Sequence, residues 1–122
     1  TAESAMYREL YEEVGLKKND VLIIGKTKEW LKYELPKKYQ RKTNNQLCIG
    51  QKQIWFLLKL ATDEAFINLN VSKKPEFDGW RWASKQEPLD LVINFKKNVY
   101  EAAINELMPL LDLNESKKYK NA

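Results

Sequence analysis

The sequence of 122 residues contains no histidine and one cysteine, Cys48. The absence of imidazole excludes His-based triads, His metal ligands and His proton shuttles. With one cysteine, an internal disulfide is excluded and a four-ligand structural zinc site is nearly so. Any catalysis must therefore use carboxylates, lysines, tyrosines or a hard cation held by oxygen atoms. Long apolar runs are also missing. The longest, Ile54 to Leu58, has five residues, far short of a membrane span. The opening TAESAM lacks the basic and apolar regions of a signal peptide. A lone cysteine fits a reducing compartment, so a cytoplasmic location is expected.

Acidic residues are absent from one long window. Between Leu35 and Thr62 there is none, while Lys37, Lys38, Arg41, Lys42, Lys52 and Lys59 all fall there. Glu3, Glu9, Glu12 and Glu13 crowd the start of the chain. A basic stretch beside an acidic cluster suits a site that holds metal ions and a polyanion together. Charge alone favours ordinary solvated faces without function.

The length, with 43% hydrophobic and 31% charged residues, argues for one globular domain over 1–122, with 113–122 as a disordered tail. Apolar spacing predicts a helix over 2–14, carrying Ala2, Ala5, Met6, Leu10 and Val14 and closed by Gly15. VLIIGKTKEWLKYEL reads as a strand bent near Gly25, and KKYQRKTNNQ as a loop. QKQIWFLLKLA, over 51–61, reads as a central strand apolar on both faces, and AFINLNV and FDGWRWAS as short strands. Pro88 opens a short helical segment. A last helix is expected over about 97–108, with Val99, Ala103, Ile104, Leu107 and Leu111 buried and Pro109 disrupting its final turn. Trp30, Trp55, Trp80 and Trp82 are assigned to the core. The order of helix, strands and helix implies a layered α/β (α+β) arrangement.

RELYEEVGL, over 8–16, is the stretch richest in chemistry. On a helix Glu9, Glu12 and Glu13 share one patch, where like charges repel unless a cation intervenes. Arg8 lies four residues before Glu12 and relieves part of that repulsion. Two readings follow from these residues, a solvated helix face and a divalent metal site.

Arg8-Glu9-Leu10-x-Glu12-Glu13-Val14-Gly15-Leu16 resembles the second half of the Nudix box, R-E-U-x-E-E-x-G-U. WLKYELPKKY, IGQKQIWFLLKL and PEFDGWRWAS resemble the bacterial RNA pyrophosphohydrolase group of that family, which is related to the dinucleoside polyphosphate hydrolases. The resemblance implies a Nudix fold, a mixed sheet sandwiched between helices, and a Mg²⁺- or Mn²⁺-dependent hydrolase. It also implies that Glu9, Glu12 and Glu13 bind metal, that Arg8 orients the carboxylates, and that Glu76 completes the site or assists the base. Glu13 is the favoured base, with Glu76 second. In the family a glycine and a further glutamate precede Arg8, and the chain begins one position after that glutamate. From this an incomplete sheet without the N-terminal strands is expected, with little or no hydrolase activity against a version restored at the N-terminus.

Substrate contacts are expected from Gln51 and Lys52, and from Lys32 and Tyr33 as their hairpin neighbours. The resemblance adds Ile93 and Phe95 as a stacking surface for a 5′-terminal base and Lys96 as a phosphate contact. As plain sequence, Ile93 and Phe95 equally fit a core position before the last helix. The implied reaction removes pyrophosphate or phosphate from the 5′ end of tri- or diphosphorylated RNA, with no DNA specificity. Hydrolysis of dinucleoside polyphosphates such as diadenosine tetraphosphate is the alternative, and an RNA-binding module without turnover is a third. The terminal KKYK is either a nonspecific RNA contact or a solubilising tail.

Overall fold

The structure, a computed structural model, describes residues 1–43 and 46–120, with side chains at all of these except 43 and 114–120. Helix α1 (Ala2–Val14) begins where Thr1 caps it, its hydroxyl accepting the Ser4 N–H at 3.1 Å. It ends at Gly15, whose φ of 73° is a left-handed conformation that side chains resist. The Gly15 N–H donates to the Tyr11 carbonyl, and the Asn68 N–H donates to the Val14 carbonyl. The carboxyl end of the helix is thereby tied to the 68 segment.

Strands β1 (Val21–Lys26), β2 (Leu31–Glu34), β3 (Arg41–Thr43), β4 (Gln46–Cys48), β5 (Gly50–Gln53) and β6 (Phe56–Leu60) follow. Helices α2 (Glu87–Leu91) and α3 (Lys97–Lys120) close the order, and the class is α+β, as expected. Among the described residues the strands pair two by two, β1 with β6, β2 with β5 and β3 with β4.

The chain forms two compact units, each built from two stretches of sequence. The first comprises Thr1–Gly25 and Phe56–Trp82. It contains α1 and the β1–β6 pair, with Leu16 and Val21 buried. The second comprises Lys26–Trp55 and Ala83–Ala122. Here α3 packs on β2 and α2, and the anticipated stripe is present: Val99, Ala103 and Leu107 are buried, Ile104 and Leu111 partly so.

Several local expectations are corrected. The stretch 21–35 is two strands, because Thr27 leaves the ladder and is 1% exposed. Its N–H donates to the Trp55 carbonyl, and its hydroxyl accepts the Trp55 N–H. This mutual bond also divides 51–61 into β5 and β6. The 37–46 loop contains a short 3₁₀ turn and the β3 side of a hairpin, with Arg41 opposite Cys48 and Lys42 opposite Leu47. AFINLNV supplies only the end of a 3₁₀ turn, and FDGWRWAS forms no strand.

Pro109 lies within α3 rather than ending it. The carbonyl that loses its partner belongs to the exposed Asn105, where water can satisfy it. The helix backbone runs on to Lys120, through most of the stretch expected as a tail, and the KKYK side chains lie outside the described ones. The tryptophans are not a core set. Trp82 is 67%, Trp30 50% and Trp80 43% exposed, and only Trp55 is largely covered, edge-on to Tyr100 at 4.8 Å.

Candidate active site

The carboxylates lie in the first unit. Helical spacing carries Arg8, Glu9, Glu12 and Glu13 along α1, and Arg8 reaches Glu12 at 3.7 Å as an exposed i,i+4 pair. Such a pair is worth about 0.3–0.5 kcal/mol, so its value lies in holding the Glu12 carboxylate rather than in stability. Glu13 is half-buried, and Glu76 is near enough to act on its carboxyl group. Burial raises its proton affinity first, and the charges of Glu76, Glu9 and Glu12 raise it further. A cation among these carboxylates would relieve their repulsion.

Glu13 and Glu76 are therefore the pair that the fold brings together, while Glu9 and Glu12 stay exposed on the helix. Among the described residues no three acidic or Cys side chains converge as a ready chelate. The donor chemistry still fits a hard divalent ion. All four groups offer only carboxylate oxygen, and the repulsion acting on Glu13 is what such an ion would relieve.

The candidate substrate residues lie in the second unit. The β2–β5 register sets Tyr33 opposite Gln51 and Lys32 opposite Lys52. Successive pairs in a ladder point to opposite faces, so the four residues divide two and two. On one face Lys32 opposes Lys52, a like-charge pair that favours an anion, and Lys52 Nζ stands 5.2 Å from the centre of the Trp30 ring. On the other, the Tyr33 hydroxyl donates to Gln51 Oε1 at 2.9 Å. Burial, and then the charge of a Cys48 thiolate, push the Tyr33 hydroxyl above its ordinary value.

Gln53 and Trp55 complete the arrangement, and sequence reasoning missed both. Trp55 Nε1 donates to Gln53 Oε1, and Gln53 Nε2 donates to Gln51 Oε1, each at 2.9 Å. With its oxygen accepting twice, Gln51 has its amide nitrogen to offer a ligand. Gly50 permits this close pairing, since a Cβ there would strike the Tyr33 carbonyl oxygen.

Phe95 packs against Tyr33 with ring centres 5.8 Å apart, and Lys96 Nζ lies 5.4 Å from the Tyr33 ring. Phe95 is half-buried and Ile93 exposed, so the two are not a common core pair. Tyr39, also missed, meets Phe95 at 5.6 Å. An aromatic inside the basic run KKYQRK was the available signal.

The family described as the NUDIX domain matches residues 1–103. The chain belongs to the Nudix family. Among curated relatives, the RNA pyrophosphohydrolase of Actinobacillus pleuropneumoniae serotype 5b is 56% identical over 95% of this chain and 56% of its own length. The RNA pyrophosphohydrolase of Legionella pneumophila (strain Corby) is 58% identical over 91% of this chain and 63% of its own. That of Aliivibrio salmonicida is 49% identical over 98% and 71%. The Nudix chain thus spans less than two thirds of the length of the first relatives it matches. The resemblance carried by RELYEEVGL is borne out at the level of family, and Nudix hydrolases generally use divalent metals. No helix among the described residues is long and apolar enough to cross a membrane.

Proposed function

We propose that this Nudix domain serves a divalent-metal-dependent hydrolase that removes pyrophosphate or phosphate from the 5′ end of tri- or diphosphorylated RNA, by attack of water on phosphorus. The observation that carries the reading is the meeting of Glu13 with Glu76 on a helix that also bears Glu9 and Glu12. The name RNA pyrophosphohydrolase, shared by relatives matching nearly the whole chain, points to the substrate. Mg²⁺ or Mn²⁺ is the proposed ion, held by Glu9, Glu12, Glu13 and Glu76, and a reducing cytoplasm the proposed setting. When bound, the ion supplies Lewis-acid polarisation of a phosphoryl oxygen and offsets developing negative charge.

The residues divide the remaining work. Glu13, the carboxylate that burial and its three acidic neighbours set apart, takes the proton of the attacking water. Arg8 holds the Glu12 carboxylate in place. Gln51 donates from its amide, Lys96 binds phosphate oxygens, and Phe95, Tyr33 and Ile93 offer apolar surface to an unstacked base, while Lys32 and Lys52 offer a phosphate contact on the other face of the ladder.

The test measures release from a 5′-triphosphorylated oligonucleotide and from diadenosine tetraphosphate side by side, on the chain and on a full-length protein that contains it. Mg²⁺-dependent release from the RNA, faster than from the dinucleotide and lost in Glu13→Gln, is expected. Faster cleavage of the dinucleotide would transfer the assignment to that substrate. Hydrolysis that survives Glu13→Gln would remove the catalytic role of the cluster. Binding of RNA without hydrolysis in either version would leave a non-catalytic module.

A further inference from the structure

The rings of Tyr33, Phe95 and Tyr39 form a row, with neighbouring centres 5.8 and 5.6 Å apart and planes tilted by 45° and 39°. The row joins β2, the turn before β3 and the turn before α3, all within the second unit. Two lysines flank it: Lys96 Nζ is 5.4 Å from the Tyr33 ring and 5.9 Å from the Phe95 ring, and Lys38 Nζ is 5.0 Å from the Tyr39 ring. Tyr39 is 42% exposed, so much of its surface remains available. Beyond it run Arg41 and Lys42 on the exposed β3, in a window with no acidic residue from Leu35 to Thr62.

A phosphate contact alone needs cations, and a core contact alone needs apolar surface. Adjoining rings flanked by cations suit a single strand of nucleic acid, since each base offers a stacking face and each step a phosphate. Tyr33, Phe95 and Lys96 are already assigned to the 5′-terminal nucleotides. Tyr39 and Lys38 extend the row away from them.

We infer that Tyr39, with Lys38 and Arg41, forms a further subsite for single-stranded RNA, holding a nucleotide downstream of those at the 5′ end. The inference rests on the proposed substrate, and it makes substrate length a determinant of affinity. A dinucleotide engages Tyr33 and Phe95, while a longer strand also reaches Tyr39.

The test is binding, measured by fluorescence anisotropy with 5′-hydroxyl oligoribonucleotides of two and five residues, which hold no phosphoanhydride to cleave. Tyr39→Ala is expected to weaken the pentanucleotide by about ten-fold and leave the dinucleotide unchanged, while Tyr39→Phe retains wild-type affinity. Lys38→Ala is expected to lower the salt dependence of pentanucleotide binding by about 0.7 in log–log slope, the share of one phosphate on a single strand. Equal losses on both lengths would overturn the inference, since Tyr39 would then merely prop Phe95. So would no loss on either, or equal competition by inorganic polyphosphate, which has charge but no bases. If length-dependent binding survives while no 5′ hydrolysis is found, the proposed reaction fails and the subsite stands. If hydrolysis is found without length dependence through Tyr39, only the subsite fails.

Discussion

Glu76, in the irregular segment after β6, lies close enough to Glu13 on α1 to raise the proton affinity of its carboxyl group. Like charges at such range repel, and a cation between them removes the penalty. Their proximity links the Nudix helix to a loop far along the chain.

The first prediction concerns stability against pH in metal-free protein. The folded chain raises the Glu13 pKa above its ordinary 4.5, so folding takes up a proton there. Below 4.5 both folded and unfolded chains hold that proton and nothing is lost; as pH rises through the raised value, stability falls, then levels. Thermal melts between pH 4 and 8 are expected to show this decline in wild type and a smaller one in Glu13→Gln. Saturating Mg²⁺ is expected to reverse it in wild type only. Identical pH profiles for the two proteins would remove the carboxylate repulsion from the account.

Gly50 tests the pairing that positions Tyr33 and Gln51. In Gly50→Ala the new methyl group meets the Tyr33 carbonyl, so the β2–β5 ladder must open. A loss of about 1–3 kcal/mol in chemical denaturation is expected, with weaker binding of RNA oligonucleotides. Gly79→Ala is the control, since a Cβ there meets nothing within 4 Å. Equal stability of the two variants would contradict the close approach.

Thr27→Val tests the mutual bond that divides the strands. Valine keeps the shape but removes the hydroxyl that accepts the Trp55 N–H at 3.1 Å. Leaving that part-buried donor unpaired costs about 1–3 kcal/mol. Urea denaturation measures it, and a change within about 0.5 kcal/mol would mean the bond contributes little.

The sequence was most readable where one helix turn predicts the next. The α1 periodicity and the Gly15 stop appear as expected, and so does the buried stripe of α3. The strands were less readable because their breaks depend on distant partners. Nothing near Thr27 signals that Trp55 captures it, and the same bond cut the apolar run 51–61 in two. Tryptophan size suggested burial, yet Trp80 and Trp82 pack mainly edge-to-face on each other, with Trp82 Nε1 donating to Glu64. Glu76 showed the same limit at the site. As a lone loop carboxylate it carried no local signal, and only the family resemblance marked it before the contact with Glu13 was seen.

The central claim, that Glu13 and Glu76 anchor a divalent-cation site on the Nudix helix, is tested most directly by Mn²⁺ binding, followed by electron paramagnetic resonance on the purified chain. Wild type is expected to bind Mn²⁺, and Glu13→Gln and Glu76→Gln each to weaken that binding by about ten-fold or more. Glu3→Gln, outside the cluster, is expected to bind as wild type does. Unchanged Mn²⁺ affinity in both Glu13→Gln and Glu76→Gln would contradict the account.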